Sequence, residues 1–476
     1  MTRIAHPTIE ERKARGKAAR KDAPVSGHAG WAPAGSRADP VALLEEQNAT
    51  READLVPVRH GRMMVSPFTF YRGAAKIMSS DLKDTPTAGL NVQLCGDAHI
   101  SNFGVFASPE RTLVFDLNDF DETLPGPFEY DVKRMAASVT IAARNNAFTK
   151  TDARAATLES VMAYREAMAN FAEMPLMDIW YARLSEQELL SAVREARRAL
   201  KGSDKNAAKS AKKNRAEGIA AKARTRDSLQ ALSKLAARVD GQYQIVSRPP
   251  VVIRLHDIAA DRGSSADELE EALHERFDAY RSTLVDDRRH LLERFKLVDV
   301  ARKVVGVGSV GTRAYIVLLQ GRDQEDPLFL QVKQATASVL EDHLPRSRYA
   351  QPGERVVQGQ RMMQAASDIF LGFTPGIDPG VFLYWRQLRD MKGSAVIEAM
   401  APANLKFYAR ICGETLARAH ARSGDPIAIA AYLGKKDGFD QSIADFSKRY
   451  ADQNERDYEA FTDAIRAGRL EAVEGV

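Results

Sequence analysis

LCGDAHISNFG at Leu94–Gly104 and VFDLNDFDE at Val114–Glu122 are the two stretches from which the fold and chemistry of this 476-residue chain are inferred. The first places His99 two residues and Asn102 five residues after Asp97, and the second adds several carboxylates. A phosphoryl-transfer site needs a carboxylate near the attacking hydroxyl and oxygen ligands for Mg²⁺. These residue types at this spacing therefore favour an enzyme that moves a phosphoryl group.

Four side chains of these stretches are the candidates for catalysis and metal binding. Asp97 is expected to position or deprotonate the acceptor hydroxyl, and His99 to orient the loop or contact phosphate. Asn102 and Asp116 are expected to hold Mg²⁺ against nucleotide phosphates. Alternating apolar residues in GLNVQL and RTLVF predict two strands that frame the loop. Because Gly-Asp and Asn are also common in turns, a purely structural loop is the alternative.

A glycine-rich stretch, VVGVGSVGTR, lies some 200 residues later. Its glycines let backbone N–H groups approach phosphates closely, so the candidates for cofactor binding are Gly306, Gly308, Ser309 and Gly311. Strand-like AYIVLL follows the glycines where a dinucleotide-binding fold would have a helix. The pattern favours a hairpin that covers ATP phosphates, with an ordinary Gly-rich hairpin as the alternative.

Lys333 ends an apolar strand, PLFLQVKQA, from which its ammonium group can reach the α- and β-phosphates of ATP. An edge-strand lysine that points to solvent is the alternative. Asp119 and Asp121 are candidates for a second metal ligand, or they act as caps. Arg72, Arg386 and Arg389 are candidates for binding phosphate or an acidic substrate, with ion pairing inside the fold or at an interface as the alternative.

Composition narrows the class of protein. The two cysteines, Cys95 and Cys412, do not form a disulfide framework or a Cys-based zinc site in this interpretation, which fits a reducing, cytoplasmic environment. No apolar run is long enough for a membrane span, so no membrane partner is expected. The basic run at 201–226 lacks interleaved aromatic residues, which makes nucleic acid an unlikely partner. His420 is expected to be a satisfied histidine near a helix end.

Local signals predict an α+β fold, with a small sheet beside a larger helical part. Asp39–Pro40 and Ser66–Pro67 indicate helix starts, because a capping side chain precedes a proline at the first helical position. The expected parts are a flexible basic arm at 1–40, a part with the catalytic loop and metal ligands at 41–150, a helical segment at 151–295 with a basic insert at 201–226, a sheet part with the Gly-rich loop, lysine and hinge strand at 296–392, and a helical part at 393–476.

These motifs together resemble the protein-kinase-like superfamily, including the aminoglycoside and choline phosphotransferases. GDAHISN resembles the H-G-D-x-H-x-x-N loop of that superfamily, and VFD resembles its metal-binding strand end. EYDVKRMAAS resembles the start of a later helix, which implies that Asp131 braces the loop. The catalytic loop here precedes the Gly-rich loop and Lys333, so the resemblance implies a circularly permuted, two-lobed fold with a small antiparallel sheet lobe and a larger helical lobe.

The whole chain resembles the bacterial family DUF2252, through SPFTFYRGAA, QLCGDAHISNFG, LVFDLNDFDET, GPFEYDVKRMAAS, ARKVVGVGSVGTR and YWRQLRDMKGS among other motifs. The family label supplies no activity. Two positions depart from the usual family pattern, since Gln334 and Gln358 stand where glutamates are common. If a family glutamate pairs with the lysine, Glu341 or Glu354 is a substitute here.

The leading hypothesis is therefore an ATP- and Mg²⁺-dependent phosphotransferase that acts on a small-molecule or protein acceptor, with ATP and Mg²⁺ as cofactors. Transfer of an AMP group uses similar parts. The main alternative, favoured by the two glutamines, is an inactive nucleotide-binding module of the pseudokinase type. A metal-dependent phosphoesterase is a further alternative, because GDAH is similar to the GDxH motif of those enzymes, and it predicts additional His-rich metal motifs.

Overall fold

The structure is a computed structural model in which residues 6–191, 228–261, 265–388 and 391–475 are described. Helices and antiparallel sheets alternate along the chain, which confirms the predicted α+β class. The basic insert predicted at 201–226 and the candidate Arg389 lie outside the described residues. None of the helices within these ranges is long and apolar enough to cross a membrane.

The strands of the described residues are β1 Asn91–Leu94, β2 Phe103–Ala107, β3 Leu113–Leu117, β4 Leu124–Pro127, β5 Leu184–Ser185, β6 Ala236–Val239, β7 Gln242–Ile245, β8 Val252–Arg254, β9 Lys296–Lys303, β10 Ala314–Gln320, β11 Pro327–Ala335, β12 Gly372–Pro375, β13 Phe382–Gln387 and β14 Gly393–Ser394. The α-helices are α1 Ile9–Asp22, α2 Pro40–Asn48, α3 Val56–Met63, α4 Pro67–Gly73, α5 Ala75–Leu82, α6 Phe128–Asn145, α7 Lys150–Glu173, α8 Leu176–Tyr181, α9 Ser228–Leu235, α10 Leu255–Asp261, α11 Ala266–Arg281, α12 Asp286–Leu292, α13 Pro352–Met363, α14 Pro402–Ser423, α15 Pro426–Leu433 and α16 Gly438–Arg466.

A six-stranded antiparallel sheet has the order β12-β13-β11-β10-β9-β8. The Gly-rich stretch links β9 to β10, as predicted. In the register of β11 with β13, Lys333 lies opposite Tyr384 and Val332 lies opposite Trp385. Since side chains alternate between the two faces of a strand, Lys333 and Tyr384 share one face. The other face carries Trp385, whose ring stacks on Tyr280 of α11 with 4.4 Å between centroids.

β1 and β3 confirm the two strands predicted on either side of the polar loop, although they do not pair with each other. β1 pairs with β4, and β3 pairs with β2, so the two strands expected to frame the loop belong to different sheets. The sequence LPGP of β4 gave no strand signal, because proline lacks the N–H group that a ladder uses. Its pairing partner β1 is about thirty residues away, with the loop between them.

A larger, mainly helical core lies beside the sheet. α6 is buried along almost its whole length, from Phe128 to Ala143. α7 and α14 approach each other closely at Gly413. A Cβ added there would lie only 2.1 Å from the carbonyl oxygen of Ser160, so glycine permits this approach. The core therefore combines helices from the 41–150, 151–295 and 393–476 parts of the chain.

The N-terminal stretch is not a flexible arm from residue 6 onward. α1 begins with a capping box formed by Thr8 and Glu11. It packs on α15 so tightly that a Cβ at Gly16 would lie 2.0 Å from the carbonyl oxygen of Ala428. Farther along, Nε2 of the buried His28 lies 2.6 Å from the hydroxyl of Tyr432. The prediction of a flexible arm, which was based on composition, was wrong from residue 6 onward. The contacts that hold this stretch come from the other end of the chain.

Candidate functional site

The polar loop is held from behind by Asp131 on α6. One carboxylate oxygen of Asp131 accepts a hydrogen bond from the backbone N–H of Cys95 at 2.6 Å, and the other from that of Gly96 at 3.0 Å. His420 of α14 places Nε2 3.2 Å from the same carboxylate and Nδ1 2.9 Å from the hydroxyl of Tyr164. The bracing role of Asp131 and the satisfied state of His420 are thus confirmed.

Gly96 brings the loop into direct contact with the acidic stretch. Its φ is +83°, in the left-handed region that side chains rarely adopt. A Cβ at this position would lie 2.2 Å from the carbonyl oxygen of Glu122. Only glycine permits this approach, so the loop and the acidic stretch form one surface.

Asp97 is fixed in orientation and partly exposed. Oδ1 of Asp97 accepts hydrogen bonds at 2.8 Å from Arg134, whose guanidinium lies 3.9 Å from the ring centroid of Tyr71. The Asp97 side chain is 24% exposed, which leaves it open to a substrate. Nε2 of His99 lies 3.6 Å from the other carboxylate oxygen. Burial lowers the pKa of His99 to about 4, although Asp97 opposes this shift, so His99 is neutral near pH 7.

Asn102 offers an unused oxygen beside the acidic stretch. Its side-chain nitrogen donates to the carbonyl of Asp97 at 3.1 Å, to the carbonyl of Asp119 at 2.9 Å and to the sulfur of Cys95 at 3.3 Å. These three acceptors fix the orientation of the amide. Oδ1 of Asn102 is buried without a hydrogen-bond partner. An amide oxygen left free in this way fits an oxygen-seeking cation such as Mg²⁺.

Lys333 crosses from the sheet to the acidic stretch. Its Nζ lies 3.1 Å from Oδ1 of Asp119 and 2.6 Å from Oδ2 of Asp121. The hydroxyl of Tyr384 donates to the other oxygen of Asp121 at 2.6 Å. Burial by itself would lower the pKa of Lys333, but Asp119 and Asp121 outweigh burial and raise it. Lys333 is therefore a buried, charged lysine, and the alternative of a solvent-facing edge lysine does not hold.

Asp116 does not face this cluster. It is buried, and Arg418 of α14 donates to its Oδ1. The backbone N–H of Leu117 donates to the same oxygen at 2.8 Å, and that of Ala365 to the other oxygen at 3.1 Å. Both oxygens are thus occupied by protein donors. We therefore correct the assignment of Asp116 as a metal ligand. Asp119 is the better candidate, because its backbone carbonyl accepts from the Asn102 amide and its carboxylate lines the cavity beside Lys333.

The Gly-rich loop reaches the same cluster. Oγ of Ser309 lies 3.4 Å from Oδ2 of Asp121. Two residues of the loop have left-handed backbones that suit glycine, with φ of +68° at Gly306 and +88° at Gly311. The loop is held at both sides, since Arg62 donates to the carbonyl of Gly306 at 2.5 Å and the backbone N–H of Glu52 donates to that of Gly311 at 2.8 Å.

A cavity of about 500 Å³ lies between the sheet and the acidic stretch. Of the predicted cofactor-binding residues, Gly306, Ser309 and Lys333 line it, together with Asp119. Gly308 lies at the loop tip instead, where an added Cβ would be 3.0 Å from the carbonyl oxygen of Arg72. Three of the predicted residues, Gly306, Ser309 and Lys333, therefore meet at the cavity. The polar loop that carries Asp97 and His99 adjoins it through the contacts of Asn102 with Asp119, but its side chains are not part of the lining.

The charges around the cavity suit an anion. Its lining includes the cations Lys234, Lys333, Arg386 and Lys392, against the carboxylates of Asp119 and Asp368. Burial lowers the pKa of Lys392 to about 7, and the nearby cations Arg386 and Lys333 add to this shift. A polyanionic ligand would relieve the repulsion among these cations.

Several site residues had weak or no sequence signals. Asp119 and Arg386 were candidates, whereas nothing in the sequence marked Tyr384 or Lys392. The carboxylates that pair with Lys333 come from the acidic stretch rather than from Glu341 or Glu354, the substitutes considered for a family glutamate at Gln358.

Gln334, the second departure, has a local role. Its side-chain oxygen accepts the backbone N–H of Arg313 at 3.1 Å. This contact ties β11 to the end of the Gly-rich stretch and leaves the neighbouring Lys333 paired with its carboxylates.

Across the described ranges, no group of three or more His, Cys, Asp or Glu side chains is arranged to hold a metal ion. The phosphoesterase alternative, which expects such groups, gains no support there. Mg²⁺ often uses only one or two protein carboxylates and takes its other ligands from substrate phosphates and water. Asp119 and Oδ1 of Asn102 fit that pattern.

Comparison with known proteins gives one match. Residues 51–464 match the family described as "Uncharacterized protein conserved in bacteria (DUF2252)". No curated protein and no solved structure matches significantly. Because the match covers most of the sequence, the chain belongs to the DUF2252 family.

Proposed function

We propose that the chain is an ATP- and Mg²⁺-dependent phosphotransferase with a circularly permuted, two-lobed protein-kinase-like architecture. The observation that carries this proposal is the pairing of Lys333 with Asp119 and Asp121. Lys333 and Asp119 are 214 residues apart in sequence, yet they meet beside the cavity that the Gly-rich loop covers. A nucleotide in this cavity would contact the Gly-rich loop, Lys333 and Asp119, which correspond to the phosphate-binding and metal-binding parts that phosphoryl transfer requires.

The order of the elements supports the permuted arrangement. β9, β10 and β11 carry the Gly-rich loop and the lysine, and β13 then leads toward α14. In an unpermuted kinase the catalytic loop would follow a helix like α14, whereas here that loop lies near the other end of the chain. Asp131 on α6 ties the loop to the helical core, so the loop keeps its place despite the changed connection.

The chemistry of the site divides among few groups. Asp119 and Oδ1 of Asn102 would hold Mg²⁺, which would neutralise charge on the phosphates. Lys333 would bind phosphate oxygens through the ammonium group that now pairs with the two carboxylates. Asp97, oriented by Arg134, would accept a hydrogen bond from the acceptor hydroxyl and align its oxygen with the phosphorus.

Calorimetric titration of Mg²⁺ and the analogue AMPPNP into the full chain tests this proposal. We expect saturable binding, and about ten-fold or greater weakening in Lys333→Met, because a charged hydrogen bond to phosphate is lost. Lys406→Met is the control and should leave AMPPNP affinity unchanged, since Lys406 is exposed, pairs with Glu159 and does not line the cavity. Absence of binding at millimolar nucleotide would contradict the proposal.

Turnover of ATP then separates the remaining alternatives. Release of ADP indicates phosphoryl transfer, and release of pyrophosphate indicates AMP transfer. Asp97→Asn should abolish most of either activity while nucleotide affinity persists. Nucleotide binding with no turnover in the unaltered chain would instead favour the inactive nucleotide-binding module.

A further inference from the structure

Arg72 is a half-buried cation without a counter-ion next to the proposed catalytic loop. It lies in the last turn of α4. Its Nε is buried and has no hydrogen-bond partner, and no residue in the described parts of the chain forms an ion pair with it within 4 Å. The buried Nε loses hydration that no acceptor in the described residues replaces, and the terminal nitrogens are left free to bind a ligand.

Two neighbouring arginines, Arg59 and Arg134, differ from Arg72 because they donate hydrogen bonds inside the protein. Arg59 is fully buried, yet it donates to Asn48 at 2.8 Å and to the carbonyl of Gly73 at 2.8 Å. Arg134 donates to Asp97 and to the backbone carbonyl of Tyr71 at 2.8 Å. The buried Nε of Arg59 also lacks a partner, but the terminal nitrogens of Arg59 and Arg134 donate inside the protein. No guanidinium nitrogen of Arg72 does so within the described residues.

The position of Arg72 points to the acceptor side of the site. Its backbone carbonyl lies against Gly308 at the tip of the Gly-rich loop. The guanidinium of Arg134 donates both to Asp97 and to the backbone carbonyl of Tyr71, so Arg72, the next residue, lies beside the polar loop. Burial lowers the pKa of Arg72, and the carboxylates of Glu398 and Asp97 oppose this shift. Asp97 is already bound by Arg134 and does not neutralise Arg72. Arg72 is also absent from the lining of the nucleotide cavity.

We propose that the acceptor is a small molecule with an anionic group, a phosphate or carboxylate, beside its hydroxyl, and that Arg72 binds this group. This inference rests on the phosphotransferase function proposed above. A guanidinium binds either anion with two parallel hydrogen bonds, which would fix the acceptor with its hydroxyl facing Asp97. In the transfer, the acceptor oxygen bonds to the γ-phosphorus, the bond from that phosphorus to the bridging oxygen of ADP breaks, and the hydroxyl proton leaves through Asp97 to water.

The test uses inorganic phosphate and acetate as probes of the full chain at low ionic strength. Phosphate is titrated by calorimetry into the unaltered protein, Arg72→Gln and Lys333→Met, each with and without saturating Mg²⁺ and AMPPNP. We expect Arg72→Gln to weaken phosphate binding about ten-fold or more, with nucleotide affinity unchanged. Lys333→Met should show the reverse pattern. Acetate affinity measured in the same variants decides whether the group is a carboxylate or a phosphate.

Control measurements keep the result interpretable. Arg410→Gln removes an exposed arginine that pairs only with Glu414 within its own helix, and it should leave phosphate binding unchanged. The thermal midpoint of Arg72→Gln should not fall, because the substitution removes an unpaired buried charge. Equal affinity of both anions for the unaltered protein and Arg72→Gln, or no binding of either anion, would overturn the inference. Failure of AMPPNP to bind would contradict the proposed function instead.

Discussion

Asp116 and Asp119 are three residues apart, but they belong to chemically different regions. Asp116 lies within β3, is 1% exposed and has both oxygens engaged by Arg418 and backbone N–H groups. Asp119 follows the strand, has a side chain that is 41% exposed, and faces Lys333 beside the cavity. The aspartate inside the strand thus stabilises the fold, whereas the aspartate two residues beyond the end of the strand faces the cavity.

The pKa values of the two carboxylates shift in opposite directions. Burial raises the pKa of Asp116, and Arg418 offsets this shift only in part. Burial would also raise the pKa of Asp119, but Lys333, Arg386 and Lys392 outweigh it and hold that pKa well below the usual range. Asp119 is therefore the carboxylate that stays ionised beside the cavity, where the ammonium of Lys333 contacts both of its oxygens.

The largest effect that we expect is a loss of folding stability when Asp116 is replaced. Asp116→Ala leaves Arg418 buried without its anion, and we expect the free energy of unfolding to fall by about 3–5 kcal/mol. Urea denaturation followed by circular dichroism measures this change. Asp463→Ala removes an exposed partner of Arg466 and should cost about 0.5 kcal/mol or less. A loss below about 1 kcal/mol for Asp116→Ala would show that the buried pair is not structural.

The matching effect on the Asp119 side is loss of activity. Asp119→Asn keeps the shape of the side chain but removes the charge proposed to hold Mg²⁺, so kcat/KM for ATP should fall about 100-fold or more. The free energy of unfolding should change by about 1 kcal/mol or less, because the carboxylate is partly exposed and Asp121 still pairs with Lys333. A stability loss as large as that of Asp116→Ala would remove the distinction between the regions.

A third substitution tests the contact that joins the polar loop to the acidic stretch. Gly96→Ala places a Cβ 2.2 Å from the Glu122 carbonyl at a φ of +83°, and we expect a loss of about 2–3 kcal/mol. Gly89→Ala is the matched control, because Gly89 also has a positive φ, +65°, but an added Cβ there meets nothing within 4 Å. It should cost about 1 kcal/mol. Equal losses in chemical denaturation would mean that backbone strain alone explains the glycine.

Local parts of this structure follow from the sequence. Asp39 accepts the N–H groups of Val41 and Ala42 at the start of α2, and Ser66 caps α4, as the cap–proline signals predict. Such features need only residues within one helical turn. The strands around the Gly-rich loop were predictable for the same reason, since alternation and glycine positions are local.

The identity of the carboxylate in the site was not predictable, because it depends on distant partners. Arg418 lies 302 residues from Asp116, and Lys333 lies 214 residues from Asp119. Before these pairs are known, each aspartate of VFDLNDFDE is an equally plausible ligand. The N-terminal helix α1 was missed for the same reason, because it packs on α15 near the other end of the chain.

The smallest effect that we expect is a pH dependence of folding stability and nucleotide affinity that arises from Lys392, which lines the cavity with Asp119. The pKa of Lys392 falls from 10.5 to about 7 on folding, so between those values the unfolded chain binds more protons and stability rises with pH. Relative to Lys392→Met, the unaltered protein should gain about 1 kcal/mol or less from pH 7 to pH 9, since the side chain is partly exposed. AMPPNP affinity should decrease over the same range. Parallel pH profiles would contradict the assignment.

A crystal structure with Mg²⁺ and AMPPNP tests the central claim most directly, because it locates the metal relative to both aspartates. We predict a metal ion about 2.0–2.1 Å from an oxygen of Asp119 and from Oδ1 of Asn102, with phosphates beside Lys333 and the Gly-rich loop. Asp116 should remain paired with Arg418. A nucleotide bound outside the cavity, or a metal coordinated by Asp116, would contradict this account.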